Sequence, residues 1–363
     1  MRLKEAVLRI ARTAGTFALV RDSAWRRRRL LVICWHGVTL DDEHKWNPSM
    51  YITQERLRER LRALRDGGYT ILPLADAMKR LYEGTLPPRS VALTFDDGAA
   101  DFARLAVPVL REFDAPATVY LTTYYSRARF PVFDVILSYV IWKGRHSSGD
   151  LAIHCGSPVP LPVIGDAERK RARNALFDFA VATKMTAEEK NGLVARIAET
   201  LGVNYADIMA REVMAIMTPD AVRRLPGDLV DVQLHTHRHR TPRDRELFMR
   251  EIEDNAEEIR ELRGADVTLD HFCYPSGVYY GEFLPWLRES GVRYATTCIP
   301  DLATRESEPL LIPRLVDSMS QSALVFDAWT SGFAALLPRR RMYQLDASRL
   351  AVSPQPSATT AAG

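Results

Sequence analysis

The sequence predicts an α/β fold, a barrel of about seven parallel strands interrupted by a helical insertion. Short apolar runs alternate with longer amphipathic segments, the signature of parallel strands joined by helical crossovers. The alternation stops over residues 123–219, where the text turns charged and helix-like, and then resumes. Strand candidates at residues 30–35, 70–72, 91–95, 118–121, 229–234, 271–274 and 294–297 suit a barrel better than an open sheet, although a doubly wound sheet also fits the pattern.

The first three strands are followed by amphipathic segments at residues 55–66, 75–82 and 103–113. The insertion offers helices at 167–184 and 187–201, and the second half reads strand 229–234, helix 244–263, strand 271–274, helix 283–290, strand 294–297. The barrel therefore divides into residues 29–122 and 220–335 around the insertion. At 363 residues, one large domain with insertions is as compatible as two. Residues 336–363 end in a Ser, Pro, Ala and Thr rich tail expected to be largely disordered. Over residues 1–28, Leu3, Val7, Ile10, Ala14 and Phe17 recur at helical spacing beside Arg2, Lys4, Arg9 and Arg12. This predicts a basic amphipathic helix, packed on its own domain or lying on an anionic membrane.

A composition of 47% hydrophobic and 26% charged residues is that of a globular protein with material for a core. The net charge of +3 is too small for the continuous basic face of a nucleic-acid binder. Its local excess at Arg26 to Arg29 reads as a solvated face. Cys34, Cys155, Cys273 and Cys298 are far apart and form no CxxC pair, so neither a thiolate metal site nor a disulfide framework is expected. Arg9 and Arg12 interrupt the N-terminal apolar residues, which matches a secretory signal poorly, and nothing approaches the roughly 18 apolar residues of a spanning helix. The expectation is a cytoplasmic protein, with the inner membrane face left open by the N-terminal helix.

Two segments carry chemistry. Val91 to Gly98 is an apolar strand ending in Asp96-Asp97-Gly98, at the strand end where parallel α/β proteins place ligands. Adjacent carboxylates repel unless a cation or proton lies between them, yet an acidic turn capping the next helix would look the same. The second segment, Val232 to His239, ends in His235-Thr236-His237-Arg238-His239. Three imidazoles within five residues, in a chain with eight, outweigh the alternative of a histidine-rich surface loop. His235 and His239 are spaced to share a metal. Two histidines and one carboxylate leave positions open for water and substrate, suiting zinc or another divalent transition metal, while a second carboxylate takes the proton on attack. The residues alone stop at a metallohydrolase of amides, esters or phosphates.

Together the motifs resemble those of the polysaccharide deacetylases, carbohydrate esterase family 4 or NodB-homology family. Thr94-Phe95-Asp96-Asp97-Gly98 matches TFDDG, and His235 to His239 matches H-[ST]-x-x-H. The flanking Leu86-Pro87-Pro88-Arg89-Ser90 and Ala115-Pro116-Ala117-Thr118 are similar to the family's, and the likeness spans residues 31–315 with 123–219 as an insertion. It implies a distorted (β/α) barrel and removal of an N-acyl, usually N-acetyl, group from an amino sugar in a polysaccharide, oligosaccharide or lipid-linked glycan. It assigns Asp96 as base, and Asp97, His235 and His239 as ligands of one divalent metal, zinc first, with cobalt, nickel or iron as alternatives. His237 falls at a variable position. A deformylase or other amide hydrolase of this fold and a non-catalytic carbohydrate-binding member are the alternatives.

The third motif reads Phe272-Cys273-Tyr274-Pro275-Ser276-Gly277. Tyr274 and Pro275 belong to its substrate-binding turn, and the Ser276 backbone N–H matches the oxyanion donor. Other members carry an arginine where this chain has Cys273, so the arginine that orients the base is either absent or comes from elsewhere, with Arg314 as the candidate. No histidine follows His271, so the family's late histidine acid is missing. His36, closing the strand Leu31 to Trp35, resembles the early histidine of circularly permuted members and is the candidate acid; a buried structural histidine is the competing account. The expected partners are an N-acylated saccharide, no nucleic acid, and a peripheral membrane contact through the N-terminal helix.

Overall fold

A computed structural model describes residues 2–128 and 130–338, with side chains from residue 5. The strands are β1 (Leu31–Trp35), β2 (Gly37–Val38), β3 (Tyr51–Ile52), β4 (Thr70–Ile71), β5 (Ser90–Phe95), β6 (Ala117–Leu121), β7 (Val230–Leu234), β8 (His271–Cys273), β9 (Tyr294–Thr296) and β10 (Leu315–Val316). Seven of them form one parallel sheet in the order β10-β1-β5-β6-β7-β8-β9. A parallel bridge from Thr296 to Ile312 joins the far edge to the segment leading into β10, so the sheet curls into a distorted (β/α) barrel.

The count of seven holds with one exchange. Residues 70–71 pair only with the first residues of β5 and stand off the path, whereas β10, which the sequence pattern did not single out, pairs with β1. Two residues carry no periodicity, so neither role could be read from pattern.

Alternation along each strand separates two environments. Leu31, Ile33 and Trp35 of β1, Val91, Leu93 and Phe95 of β5, and Val232 and Leu234 of β7 pack in the main core, which includes Leu57, Leu61, Phe248 and Ile259 of the surrounding helices. Val32, Ala92, Tyr120 and Cys273 belong to a second cluster on the opposite strand faces, lining the barrel interior. Burial on both faces explains why the strands read as continuous apolar runs. The same alternation aims Asp96 and His235, one step past β5 and β7, inward.

The segment 133–214 is helical: Phe133–Lys143, Asp166–Ala182, Ala187–Thr200 and Tyr205–Ala210 gather around a separate core that includes Leu137, Leu176, Leu193 and Ile197. Its last residues return to the barrel, where Ala100 N–H donates to Ala215 O at 2.8 Å and Met217 N–H to Gly98 O at 2.9 Å.

Two expectations for the N-terminal region are corrected. Residues 2–27 form three helices, Arg2–Thr13, Thr16–Arg21 and Ala24–Arg27, because Gly15 takes a left-handed φ of 74° and Ser23 an extended ψ of 155°, neither of which a continuous helix accommodates. Arg26, read as part of a solvated run, is fully buried, donating to the carbonyls of Thr330, Arg29 and Ser90. Burial lowers its pKa to about 10. The tail beyond residue 338 lies outside the described residues.

Candidate active site

Strand register brings the motifs together. β1 and β5 pair with Trp35 opposite Phe95, which sets His36 beside Asp96. β7 and β8 pair with Leu234 opposite Phe272, which sets His235 beside Cys273. All four side chains thus collect at the carboxyl end of the barrel.

Asp96 is 2% exposed and faces Arg314, whose guanidinium grips it through two bonds, Nη1 to Oδ1 and Nη2 to Oδ2, each 2.7 Å. Arg314 is fully buried and also donates to Thr297 O at 3.0 Å and Thr94 Oγ1 at 3.1 Å. Burial alone would raise the Asp96 pKa; the Arg314 charge and hydrogen bonds outweigh it, with His36 and His235 adding, and hold the carboxyl well below the usual range. The sequence candidate for the orienting arginine therefore sits on Asp96, the candidate base, delivered from just before β10. Three of the four cysteines surround this pair. Cys273 Sγ lies 3.4 Å from Asp96 Oδ2 and 3.0 Å from Arg314 Nη2, Cys298 Sγ lies 3.8 Å from Arg314 Nη2, and Cys34 Sγ is within 4.8 Å of Asp96. Burial raises the pKa of all three thiols.

Asp97 points elsewhere because its φ is 69°, a left-handed turn that Asp tolerates and that ends β5. Gly98 follows at φ 76°, where a Cβ would meet Leu121 Cδ1 at 2.3 Å. Asp97 Oδ1 lies 3.0 Å from His235 Nε2 and 3.2 Å from His239 Nε2. Thr236, His239 and Ser276 also have positive φ, so four of nine such non-glycine residues among those described cluster here. Backbone strain held by surrounding structure is a common feature of functional sites.

The donor set fits a divalent transition metal. His235 Nδ1 lies 2.8 Å from Cys273 O, which fixes the proton on Nδ1 and leaves the Nε2 lone pair facing Asp97 Oδ1. Two acceptors at that distance repel unless a proton or a cation joins them. Burial lowers the His235 pKa and Asp97 more than restores it, while burial raises that of Asp97 and the two histidines more than reverse the effect.

His237 does not join the triad. Its Nδ1 contacts Thr123 Oγ1 at 2.8 Å and its ring meets Tyr124 edge-on at 5.7 Å. Asn255 accepts from His235 N–H at 2.9 Å and donates to Leu121 O and Thr123 Oγ1, both at 3.0 Å; buried Glu251 accepts from Arg238 and Arg240. These two supports escaped sequence reasoning, although Glu251 and Asn255 interrupt the apolar face of Phe248, Ile252 and Ile259 at a four-residue interval, a signal of a buried polar task.

His36 Nε2 lies 3.7 Å from Asp96 Oδ2, and its buried Nδ1 has no hydrogen-bond partner among the described residues. Ser276 is exposed at the turn after β8, with φ 55°. Pro275 is buried, and so is the Tyr274 side chain, whose hydroxyl donates to Leu310 O at 3.0 Å. Tyr274, expected in the substrate-binding turn, packs its ring with Phe272 and Tyr279 because the inward position on β8 belongs to Cys273.

Residues 83–140 match the family model for polysaccharide deacetylase. The poly-β-1,6-N-acetyl-D-glucosamine N-deacetylase of Escherichia coli K12 is 33% identical over 101 residues, 28% of this chain and 15% of that protein. The chain thus matches only a small part of its curated relatives. Among solved structures, the Streptococcus pyogenes deacetylase PplD, in complex with acetate, aligns with a TM-score of 0.54 at 16% identity over 85% of this chain and 99% of that one. A de-N-acetylase from Aggregatibacter actinomycetemcomitans gives 0.51 at 15% identity over 83% and 99%, and IcaB from Ammonifex degensii 0.50 at 15% over 84% and 97%. These likenesses show a shared fold. Both sequence motifs are in place on that fold, and the match to the polysaccharide deacetylase model, over residues 83–140, runs through the first of them.

Proposed function

We propose that this chain removes N-acyl groups, acetyl first among them, from an amino sugar within a saccharide, using one zinc ion. The observation that carries the reading is the Asp97, His235 and His239 triad standing beside a carboxylate clamped by a buried arginine. Asp97, His235 and His239 would hold the metal, which supplies an acidified water and polarises the acyl carbonyl.

Asp96 is kept ionised by Arg314 and takes the proton of the attacking water. A carboxylate with so low a pKa is a weak base, so its efficiency depends on the water having been acidified, which divides the work between the two aspartates. The Ser276 N–H at the strained turn is the donor for the oxyanion. His36, whose Nε2 faces Asp96 Oδ2, delivers a proton to the departing amine.

The E. coli relative's name supports an N-acetylglucosamine polymer as one candidate substrate. The N-terminal helices support a peripheral contact with an anionic membrane, because Val7, Ile10 and Leu19 are 44, 71 and 74% exposed beside Arg9 and Arg12. The test is acetate and formate release from a panel of N-acylated saccharides by zinc-loaded and metal-free protein. No release from any substrate, or full release in chelator, overturns the proposal.

A further inference from the structure

Within the inserted segment lies a cavity of about 250 Å³ whose walls include Tyr124, Tyr125, Phe130, Phe133, Lys190 and Asn191. It lies below the roughly 300 Å³ at which pockets for drug-sized ligands begin, room for a single small ring. One wall is tied to the metal-binding loop. Tyr124 N–H and Thr122 Oγ1 both donate to His237 O, at 2.8 and 3.0 Å, and His237 sits between His235 and His239 in the chain. The opposite wall is the start of the helix Ala187–Thr200.

The lining is chemically lopsided. Phe133, fixed by stacking on Phe177 at 6.1 Å, joins Tyr124, Tyr125 and Phe130 in offering aromatic surface. No aspartate or glutamate is among the lining residues. Lys190 Nζ stands 5.7 Å from the Phe133 ring centroid and makes no ion pair among the described residues. Asn191 uses its Oδ1 to accept from Tyr205 at 2.6 Å, which leaves its amide N–H groups as donors. Aromatic faces match the C–H faces of a pyranose, while an ammonium and an amide donor in a lining that holds no carboxylate match a negative substituent, with Glu189 turned to cap the Thr186 N–H at 2.7 Å.

We propose that this cavity binds a second sugar ring of the substrate, one carrying an acidic group, and that the insertion thereby selects an acidic saccharide. The proposal rests on the saccharide reading above and assigns part of the recognition to residues outside the barrel.

The test is equilibrium binding of three disaccharides to the metal-free protein: N,N′-diacetylchitobiose, its 1-phosphate, and a disaccharide of N-acetylglucosamine and N-acetylmuramic acid. At least one acidic probe should bind about tenfold tighter than the neutral one, roughly the worth of one charge-assisted hydrogen bond, and the tighter of the two identifies phosphate or carboxylate. Lys190→Gln should erase that preference, and Phe133→Ala should weaken all three probes. Hydrolysis of 4-nitrophenyl acetate by the zinc-loaded Lys190→Gln variant should match that of the parent. Equal affinity for the three probes, or an equal loss on all of them in Lys190→Gln, overturns the inference. An acidic preference that persists while the zinc-loaded protein hydrolyses no saccharide would sink the activity and leave the cavity assignment standing.

Discussion

Asp96 and Arg314, 218 positions apart, meet in a bidentate pair whose two bonds are each 2.7 Å. Both groups are buried, so neither has water to replace its partner. Removing one member strands a charge in the barrel, which typically costs about 3–5 kcal/mol. Arg314→Met should therefore lower stability by that order and move the acid limb of the pH–rate profile upward, because the lost guanidinium is what holds the Asp96 pKa down. Arg314→Lys should retain more stability but lose the fork geometry and much of the turnover. Thermal melts and pH–rate profiles of the two variants decide; an unmoved acid limb would separate Arg314 from the base.

The two aspartates should fail differently. Asp96→Asn keeps the shape of the Arg314 contact while removing the proton acceptor, so zinc content should stay near one per chain as turnover falls by about 10²-fold or more. Asp97→Asn weakens the oxygen between His235 and His239 and should empty the site. Elemental analysis of both proteins checks this. A metal-free Asp96→Asn with a metal-loaded Asp97→Asn would invert the roles.

How far the sequence led depends on what kind of signal each feature leaves. β1, β5 and β6 were legible because burial on both faces writes a mostly apolar run of five or six residues, and β7 because Val230, Val232 and Leu234 alternate with polar Asp231 and Gln233. β10 is two residues long and is defined by its pairing with β1, which no local pattern records. The candidate ligands were legible because Asp97, His235 and His239 are clustered polar residues at strand ends. Their supports were not: Cys273 Sγ, Asn255 and Glu251 lie on faces whose neighbours are apolar, and only register shows which polar atom each one meets. Arg26 misled for a related reason, since one residue of a charged run turned inward to bind carbonyls.

His271 gives a prediction for folding stability. It is buried, neither ring nitrogen has a hydrogen-bond partner among the described residues, and burial lowers its pKa to about 4, with Asp270 opposing. The unfolded chain, with a histidine near 6.5, binds the proton first as pH falls. The stabilisation is therefore complete above pH 6.5 and is lost on the way down to about pH 4, on the order of 3 kcal/mol. Denaturant titrations across this window should show a slope that His271→Phe reduces; an unchanged slope would assign it to other groups.

Exposed Val7, Ile10 and Leu19 give the membrane proposal a direct test. The parent chain should float with vesicles containing anionic lipid and lose that association as salt rises. Ile10→Asp with Leu19→Asp should abolish flotation without changing hydrolysis of a soluble substrate. Equal flotation with neutral vesicles, or none with anionic ones, would remove the contact.

The last prediction concerns His36. Amide hydrolysis expels an amine, a poor leaving group until protonated, so a site that only activates water stalls at the tetrahedral intermediate. Histidine suits the task because its unperturbed pKa near 6.5 lets it carry a proton near neutral pH. Of the eight histidines, His235 and His239 face Asp97, His237 is bound to Thr123, and His271 is sealed in the barrel. His154 bonds to Thr200 inside the insertion, and neither His44 nor His146 lies on a barrel strand. Apart from His235, which faces Asp97, His36 is the histidine beside the candidate base, Nε2 at 3.7 Å from Asp96 Oδ2, with its side chain 15% exposed. His36→Ala should therefore keep fold and metal, lose most amide hydrolysis, and retain relatively more activity on 4-nitrophenyl acetate, whose leaving group departs as an anion. Equal losses on both substrates would point to a positioning role through Asp96. Near-normal amide turnover would exclude His36 from the chemistry and leave the proton to be delivered by solvent.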